Sequence, residues 1–268
     1  MATVDLWAHQ DELAALARRQ PFGLITDFDG VLSEIAPSPA QARISPACHR
    51  HLAALAQRLP LVAVVSGRPV QEVVRLVGLE DVAYYGNHGL ERWAHGRAAL
   101  RPEATSYREQ IIALVRELGP SLPAGVIIED KGLAVALHYR QAADPPTARQ
   151  AILSALEHTD AAHGLQVSEG KMVVEVKAPA AAHKGTALLS LAADYGLRAA
   201  VYIGDDLTDL DAFAALRELA RRVDFRGIAL AVTGPETPIS VLEAADFTLE
   251  GVADVARFLA WLAEALAA

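Results

Sequence analysis

Short apolar runs that alternate with amphipathic stretches are the feature that most constrains the fold of this 268-residue chain. Each run is rich in valine, isoleucine and leucine and ends in polar residues or glycine, which is typical of a strand buried on both faces of a parallel sheet. The stretches between the runs carry helix signals: Ser45 and Pro46 open one, and Pro69 opens another that closes at Gly78. Strands alternating with helices predict a doubly wound α/β sheet. The five predicted strands are 23–29, 61–67, 82–86, 199–205 and 228–233.

The middle of the chain follows a different pattern. Between residues 101 and 178 the predicted order is helix, two strands, helix, two strands. The segment 133–139 alternates large apolar residues with small or polar ones, which is typical of an antiparallel sheet with one face in water. We therefore predict a core domain of residues 1–100 and 179–268 with an α+β domain, 101–178, inserted into it, and the small residues at 178–182 suit the return hinge. The predicted elements of the inserted domain are helices 105–118 and 146–159 and strands 126–130, 133–139, 165–168 and 172–176.

Charge and cysteine content exclude several classes of function. The formal net charge is −9, so the chain has no basic surplus for binding a nucleic acid or the headgroups of an anionic membrane. Cys48 is the single cysteine, which rules out an intrachain disulfide, a cysteine zinc site and an iron–sulfur cluster. The N-terminal segment lacks the layout of a secretion signal, and no segment is apolar for long enough to span a bilayer. We expect a soluble, cytoplasmic protein; the sequence does not set its oligomeric state, and a monomer is compatible with it.

Two acidic clusters follow predicted strands. Asp27 and Asp29 lie two residues apart at the end of the first strand, on the same side of an extended chain, where open α/β sheets bind ligands. Asp205, Asp206 and Asp209 follow a later strand. Carboxylates on neighbouring strand ends repel one another unless a cation lies between them, and hard oxygen ligands suit Mg²⁺. The clusters therefore indicate a magnesium site, with an Asp-Gly turn and acidic helix caps as the structural alternatives.

Two further elements suit an anion such as phosphate. Ser66, Gly67 and Arg68 lead from the second strand into a helix, so the serine hydroxyl and nearby backbone N–H groups can face an anion at the helix N-terminus. Lys184 begins the helix that follows the inserted domain, where its charge opposes the helix dipole. That small cost is explained if the ammonium holds a phosphate. An ordinary strand-to-helix turn and a solvated lysine are the alternatives.

The order of these motifs resembles that of the haloacid dehalogenase-like phosphatases. Asp-x-Asp-Gly, Ser-Gly-Arg, Lys-Gly and Gly-Asp-Asp-x-Thr-Asp each lie at the end of a strand or the start of a helix, and the resemblance spans nearly the whole chain. The position of the inserted domain is similar to that of the αββαββ cap class within this superfamily. Further segments are similar to the trehalose-6-phosphate phosphatases, namely 86–91, 129–131 with 138–140, 170–171 with Glu175, and 204–209 with 212–213.

This resemblance implies a role for each matching residue. Asp27 is implied as the nucleophile that becomes phosphorylated and Asp29 as the general acid and then base, while Ser66 and Lys184 are implied to hold the transferring phosphoryl group. The implied ligands of Mg²⁺ are drawn from Asp27, Asp29, Asp205, Asp206 and Asp209. The residues implied to bind the substrate are Arg68, Asn87 and His88 in the core and Glu129, Lys131, Arg140, Lys171 and Glu175 in the cap.

Two positions depart from the family pattern. Val31 stands where threonine is common, and Leu210 stands where an acidic residue is common; neither is assigned to bond-making or metal binding.

The resemblance as a whole implies magnesium-dependent hydrolysis of trehalose 6-phosphate, a small sugar phosphate. The alternatives are another sugar- or polyol-phosphate phosphatase with the same cap, a phosphomutase, and an inactive phosphosugar-binding regulator. For the charged cap residues, ordinary ion pairs on the wet face of a small sheet are the structural alternative.

Overall fold

A computed structural model describes residues 6–36, 39–170, 172–177, 183–222 and 224–267. The chain divides into two compact units, Met1–Ala99 with Ala182–Ala268, and Leu100–Ala181. The predicted hinge at 178–182 lies outside the described residues. Within the described ranges, no helix combines the length and apolar character needed to cross a bilayer.

The described residues form twelve strands and nine α-helices, numbered here in chain order. The strands are β1 (Phe22–Thr26), β2 (Leu61–Val65), β3 (Ala83–Gly86), β4 (Glu91–Ala94), β5 (Arg97–Leu100), β6 (Ile127–Asp130), β7 (Ala134–His138), β8 (Gln166–Gly170), β9 (Val173–Lys177), β10 (Ala199–Gly204), β11 (Arg226–Thr233) and β12 (Phe247–Glu250). The helices are α1 (Gln10–Ala17), α2 (Pro46–Ala56), α3 (Val70–Val77), α4 (Pro102–Leu118), α5 (Pro145–Glu157), α6 (Lys184–Asp194), α7 (Leu210–Ala220), α8 (Ile239–Ala244) and α9 (Gly251–Ala265).

The first unit is built on an eight-stranded sheet in the order β12-β11-β10-β1-β2-β3-β4-β5. The six strands from β12 to β3 are parallel, and β4 runs antiparallel to β3. From β1 the chain first moves outward to β2 and β3, and after the second unit it returns to β10 on the other side of β1. The strand order thus reverses at β1, and in open parallel sheets ligands bind at the carboxyl ends of the strands beside such a point.

Both faces of this sheet are covered, which explains the unbroken apolar runs in its central strands. Alternate side chains of one strand enter different cores. Leu24 of β1 packs in a cluster with residues of α1, α2, α3 and α9, whereas its neighbour Ile25 packs in a cluster with residues of α6, α7 and α8. The predicted doubly wound α/β architecture is confirmed.

Three strands of the large sheet were not predicted. β4 and β5 are only four residues long and contain arginine and glutamate, and they are joined by a tight turn in which His95 and Gly96 have positive φ. β12 buries only Phe247 and Leu249 on alternate positions. Strands at or near a sheet edge need little apolar sequence, so they carry a weak signal.

The second unit contains a four-stranded antiparallel sheet in the order β6-β7-β9-β8. Helices α4 and α5 cover one face, where Val135 and Val176 pack against Ile111 and Ile152. The helix–strand–strand order repeats twice, as the sequence predicts. On the face opposite α4 and α5, Glu129, Ala136, Glu175 and Ser168 stand in one row across the four strands.

Candidate active site

Three aspartates meet at the carboxyl ends of β1 and β10. Carboxylate oxygens of Asp27, Asp205 and Asp209 lie within 4.8 Å of one another. Asp27 directly follows β1, and its backbone N–H donates to Ile203 of β10 at 2.9 Å, so the sheet ladder itself fixes the position of Asp27 beside the loop that starts at Asp205. Two segments about 180 residues apart in the chain are thereby brought together.

Lys184 lies at the centre of this cluster. Its side chain is 2% exposed, and Nζ donates to Asp27 Oδ2 at 2.6 Å and to Asp209 Oδ1 at 2.7 Å. Burial alone would lower the pKa of Lys184, but the charges of Asp27 and Asp209 outweigh it and raise that pKa above its usual value. The alternative of a solvated lysine at the start of α6 is therefore wrong. The ammonium is charged, desolvated and directed at Asp27.

Asp209 is fully buried, and all of its acceptor positions are occupied. Oδ1 accepts from Lys184 Nζ and from Tyr202 Oη, both at 2.7 Å, and Oδ2 accepts the backbone N–H groups of Asp205 and Asp206, both at 3.0 Å. A carboxylate offers about four lone-pair sites. Direct metal binding by Asp209 would displace one of these donors, so we assign Asp209 to holding Lys184 and the 205–209 loop in place.

Asp27 and Asp205 are the carboxylates that suit a cation. The pKa of Asp27 is raised to about 7 and the pKa of Asp205 to about 8; burial is the largest cause, and neighbouring carboxylates add to it while the charge of Lys184 opposes it. A divalent ion bound between them would remove this repulsion, and two carboxylates are the protein ligands that Mg²⁺ usually takes. The donor set therefore fits Mg²⁺. Asp206 is exposed, and neither it nor Asp29 belongs to the cluster found among the described residues.

Asp29 makes a bidentate ion pair instead. Arg68 donates through Nε to Asp29 Oδ2 at 2.6 Å and through Nη2 to Oδ1 at 2.7 Å. The same guanidinium donates to Glu72 Oε1 at 2.5 Å and lies 5.7 Å from the centre of the Phe28 ring. The family resemblance implies Arg68 as a substrate ligand; in this structure its guanidinium pairs with Asp29 and Glu72. Glu72, which was not predicted, lies one helical turn further along and orients Arg68 in turn.

Gly30 allows the Asp27-to-Asp29 turn to approach the other acidic loop. Its φ is +71°, and a Cβ at this position would lie 2.0 Å from Asp205 Oδ2. Both the backbone conformation and the close contact require glycine. Val31, the first departure from the family pattern, is fully buried in the core on the α2 side, and Leu210 packs against the core on the α7 side.

Ser66 is buried at the end of β2, and the loop after β3 is held against it. Ser66 Oγ accepts the backbone N–H of Arg68 at 3.2 Å, while the N–H of His88 donates to Ser66 O at 3.0 Å and the N–H of Asn87 donates to Arg68 O at 2.8 Å. Asn87 and His88 both have positive φ, which is unusual for residues other than glycine. Asn87 and His88 thus share one strained loop that is hydrogen-bonded to the turn containing Ser66 and Arg68, and such strain is concentrated at functional sites.

Glu91 has a structural role that sequence reasoning missed. Its Oε2 accepts the free backbone N–H of Val70 at 2.9 Å, at the start of α3. Gly86 lies directly beneath this contact, and a Cβ there would lie 2.2 Å from Val70 N. The glycine and the glutamate at the two ends of the segment 86–91 therefore fix α3 against the loop. A glutamate five residues after a strand-end glycine carries no recognisable capping signal in the sequence.

The predicted cap residues that are described lie on or beside the face of the small sheet opposite α4 and α5. Lys131 Nζ donates to Glu175 Oε1 at 3.1 Å and lies 3.9 Å from Glu129 Oε2, and His138 shares a hydrogen bond of 2.9 Å with Glu129. The hydrogen bond to His138, ahead of the charge of Lys131, lowers the pKa of Glu129. Arg140 follows β7 and is exposed. Lys171, the fifth predicted cap residue, lies outside the described residues.

Comparison with known proteins agrees with this architecture. The family model described as trehalose-phosphatase matches residues 25–238. A trehalose-phosphate phosphatase of Mycobacterium marinum is 36% identical over 273 residues, which covers 96% of this chain and 66% of that protein. A protein of Mycobacterium tuberculosis that is named as an uncharacterized glycosyl hydrolase is 35% identical over 92% of this chain and 18% of its own length. The structure of an Aspergillus fumigatus trehalose-6-phosphate phosphatase is 24% identical, with a TM-score of 0.66 over 95% of this chain and 97% of that one.

The central parallel sheet, the acidic strand ends and the inserted unit define a haloacid dehalogenase-like phosphatase fold with a cap. Within this class, the match over residues 25–238 shows that the chain belongs to the trehalose-phosphatase family. The chain spans 18% of the length of the Mycobacterium tuberculosis relative and 66% of the length of the Mycobacterium marinum relative.

Proposed function

We propose that this chain hydrolyses trehalose 6-phosphate to trehalose and phosphate through an aspartyl-phosphate on Asp27, with Mg²⁺ as cofactor. The observation that carries this proposal is the buried contact of 2.6 Å between Asp27 and the Lys184 ammonium, beside Asp205 at the carboxyl ends of parallel strands. A carboxylate nucleophile, a fixed cation and a site for a divalent metal are the elements that phosphoryl transfer needs. The match to trehalose-phosphatase supports the substrate.

In the first half-reaction, a carboxylate oxygen of Asp27 attacks phosphorus, and the bond from phosphorus to the sugar oxygen breaks. Asp29 gives a proton to that departing oxygen, and Lys184 stabilises negative charge on the phosphoryl oxygens. In the second half-reaction, Asp29 takes a proton from a water molecule, whose oxygen attacks phosphorus and releases Asp27 and inorganic phosphate. Asp27 and Asp205 would hold Mg²⁺, which would supply further positive charge beside the phosphoryl group.

Arg68 serves this reaction by orienting Asp29 rather than by holding phosphate. Its two hydrogen bonds fix the plane of the Asp29 carboxylate, and Glu72 keeps the guanidinium in place. Ser66 Oγ accepts a backbone N–H and retains its own hydroxyl proton for a phosphoryl oxygen. The protein needs such fixed geometry because a general acid acts only within hydrogen-bond reach of the departing oxygen.

We further propose that the charged face of the small sheet binds the sugar. Lys131, Glu129 and Glu175 stand on one face with Arg140 beside it, and Lys171 belongs to the same set by sequence. Lys131 pairs with Glu175 at 3.1 Å and with Glu129 at 3.9 Å, so these three groups can exchange surface ion pairs for hydrogen bonds to sugar hydroxyls. Sugar hydroxyls both donate and accept, which matches a mixture of carboxylates and cations. The partner of this chain is therefore a small sugar phosphate.

Phosphate release from a panel of sugar phosphates, with and without Mg²⁺, tests the proposed activity. We expect magnesium-dependent release with trehalose 6-phosphate preferred, and loss of that release in Asp27→Asn, because the amide cannot act as nucleophile. Asp224→Asn is the matched control, since the same substitution at a side chain 81% exposed should change nothing. Absence of release from every sugar phosphate would contradict the activity, while appreciable turnover by Asp27→Asn would contradict only the covalent intermediate. Preference for another sugar phosphate would contradict trehalose 6-phosphate as the substrate.

The role of the cap is tested separately by Glu175→Ala. Loss of a charged hydrogen bond to a bound sugar should lower kcat/KM on trehalose 6-phosphate about ten- to a hundredfold. Hydrolysis of a small aryl phosphate, which lacks the disaccharide, should change little. Glu169→Ala is the control, because Glu169 is a similarly exposed glutamate of the same sheet that lies opposite Val174 and pairs with Arg149 on the other face. If kcat/KM falls equally for both substrates, or falls for neither, Glu175 takes part only in an ordinary surface ion pair.

A further inference from the structure

Tyr202 is a buried polar residue that neither the sequence motifs nor the proposed reaction uses. It lies in β10, is 0% exposed, and packs edge-on against Phe213 with ring centres 6.0 Å apart. The other residues of this six-residue strand are aliphatic or small. Phenylalanine would fill the same space without burying a hydroxyl, so the hydroxyl needs a reason of its own.

The partner of that hydroxyl is the carboxylate that holds Lys184. Tyr202 Oη donates to Asp209 Oδ1 at 2.7 Å, and Lys184 Nζ donates to the same oxygen at 2.7 Å. The other oxygen of Asp209 is occupied by two backbone N–H groups. Burial, and then the charge of Asp209, raises the pKa of Tyr202 well above its usual value, so the hydroxyl keeps its proton and donates. Tyr202 and Lys184 therefore share one anionic oxygen.

Because Tyr202 and Lys184 share this oxygen, the Tyr202 hydroxyl affects how strongly Lys184 is attracted to each of its two carboxylate partners. Lys184 contacts Asp209 on one side and Asp27 on the other, at 2.7 and 2.6 Å. A hydroxyl that donates to Asp209 draws negative charge from Oδ1 and weakens its attraction for the ammonium. Without the hydroxyl, Asp209 would attract Lys184 more strongly, away from Asp27.

We propose that Tyr202 is a positioning residue that limits the hold of Asp209 on Lys184 and so keeps the ammonium available to Asp27 and the transferring phosphoryl group. This inference rests on the proposed phosphatase function. Charge stabilisation by Lys184 matters most in the transition state, where the entering and departing oxygens both flank phosphorus, so its loss lowers kcat more than it raises KM.

The test compares Tyr202→Phe with Tyr84→Phe. Tyr84 lies in β3 of the same sheet and is 2% exposed, and its hydroxyl donates to the backbone carbonyl of Leu79 at 2.6 Å and accepts the Leu79 N–H at 3.1 Å. Both variants lose a buried hydroxyl and should show lower melting temperatures. Only Tyr202→Phe should lose activity: kcat should fall roughly five- to thirtyfold with KM changed less than about twofold, while Tyr84→Phe should keep both values.

A binding measurement separates this inference from the proposed function. Orthovanadate mimics a phosphoryl group in transfer, and calorimetry with Mg²⁺ present should show affinity falling in Tyr202→Phe by about the same factor as kcat, with no change in Tyr84→Phe. Wild-type kcat and vanadate affinity in Tyr202→Phe would overturn the positioning role even if the protein is an active phosphatase. A vanadate difference without turnover of any sugar phosphate would support the positioning role and contradict the proposed reaction. Wild-type protein that neither turns over nor binds vanadate would overturn both.

Discussion

Replacement of Lys184 by methionine tests the balance of charge at the centre of the site. Lys184 is 2% exposed, and its two acceptors Asp27 and Asp209 are 6% and 0% exposed. Methionine keeps most of the aliphatic length and removes the charge, so packing around the stem changes little. Removing one partner from a buried ion pair costs about 3–5 kcal/mol, because the remaining charge stays desolvated. We expect the free energy of unfolding of the metal-free protein to fall by about this amount in mildly alkaline buffer.

The dependence on pH and Mg²⁺ distinguishes this loss from a packing defect. Burial, the largest cause, raises the pKa of Asp27 to about 7 although Lys184 opposes the rise, so removal of the ammonium raises that pKa further. Because the folded-state pKa then exceeds the unfolded value of 3.8 by more, the folded variant takes up a proton more readily as pH falls, and the deficit relative to wild type shrinks. Mg²⁺ should also restore part of the stability, since it replaces some of the lost positive charge.

Tryptophan emission during urea unfolding measures the effect, because Trp7, Trp93 and Trp261 all belong to the unit that contains Lys184. Arg198→Met is the matched control in the same unit. Arg198 is 57% exposed and its partner Asp224 is 81% exposed, so this pair contributes less than about 1 kcal/mol. A loss below about 1 kcal/mol in Lys184→Met, or a larger loss that responds to neither pH nor Mg²⁺, would refute the reasoning.

Two further outcomes follow from the same carboxylates. Asp27 and Asp205 have folded-state pKa values of about 7 and about 8, above the value of 3.8 for a free aspartate, so their contribution to metal-free stability is complete below 3.8 and is lost progressively as pH rises from that value through 7 to 8. Urea midpoints should therefore fall across the whole range from 3.8 to about 8 while calorimetric Mg²⁺ affinity rises, because protons and metal compete; a flat profile of both would contradict the assignment. Gly30→Ala should weaken Mg²⁺ binding by tenfold or so, and destabilise the metal-free protein by only about 1–2 kcal/mol, because the added Cβ displaces Asp205 and the backbone is left-handed. Unchanged Mg²⁺ affinity would show that Asp205 is not a ligand.

The parts of the fold that could be predicted are those whose signal is local. Buried central strands such as β1 and β2 are continuous apolar runs, and the two helix–strand–strand repeats of the second unit show their own periodicity. The predicted ends were less accurate: the run 23–29 includes Asp27 and Asp29, but β1 ends at Thr26, since the carboxylates leave the sheet. The edge strands were missed because their short sequences contain charged residues.

The site could be predicted as a set of residues but not as a set of partners. The order of the motifs predicts that Asp27, Lys184 and Asp205 lie at one edge of the sheet, and in the structure their side chains lie close together there. Which carboxylate pairs with which cation depends on contacts between residues far apart in the chain. Arg68 reaches Asp29 across 39 positions, and nothing in either motif distinguishes that ion pair from a contact with substrate.

The buried cluster also shows why a chain would keep groups that oppose its own folding. With three carboxylates at −1 and one ammonium at +1, Asp27, Asp205, Asp209 and Lys184 carry a formal charge of −2. Asp209 accepts four hydrogen bonds, and its charge still acts on its neighbours. Burial and then the charge of Asp209 raise the pKa of Asp27, while burial and then the charges of Asp27 and Asp209 raise the pKa of Asp205. Protons relieve this repulsion at low pH, and a divalent cation relieves it without removing the ionised oxygen that a nucleophile needs. The arrangement that destabilises the metal-free protein at neutral pH is therefore the one that suits Asp27 to its proposed roles as metal ligand and nucleophile, and Asp209 keeps Lys184 in place for either state.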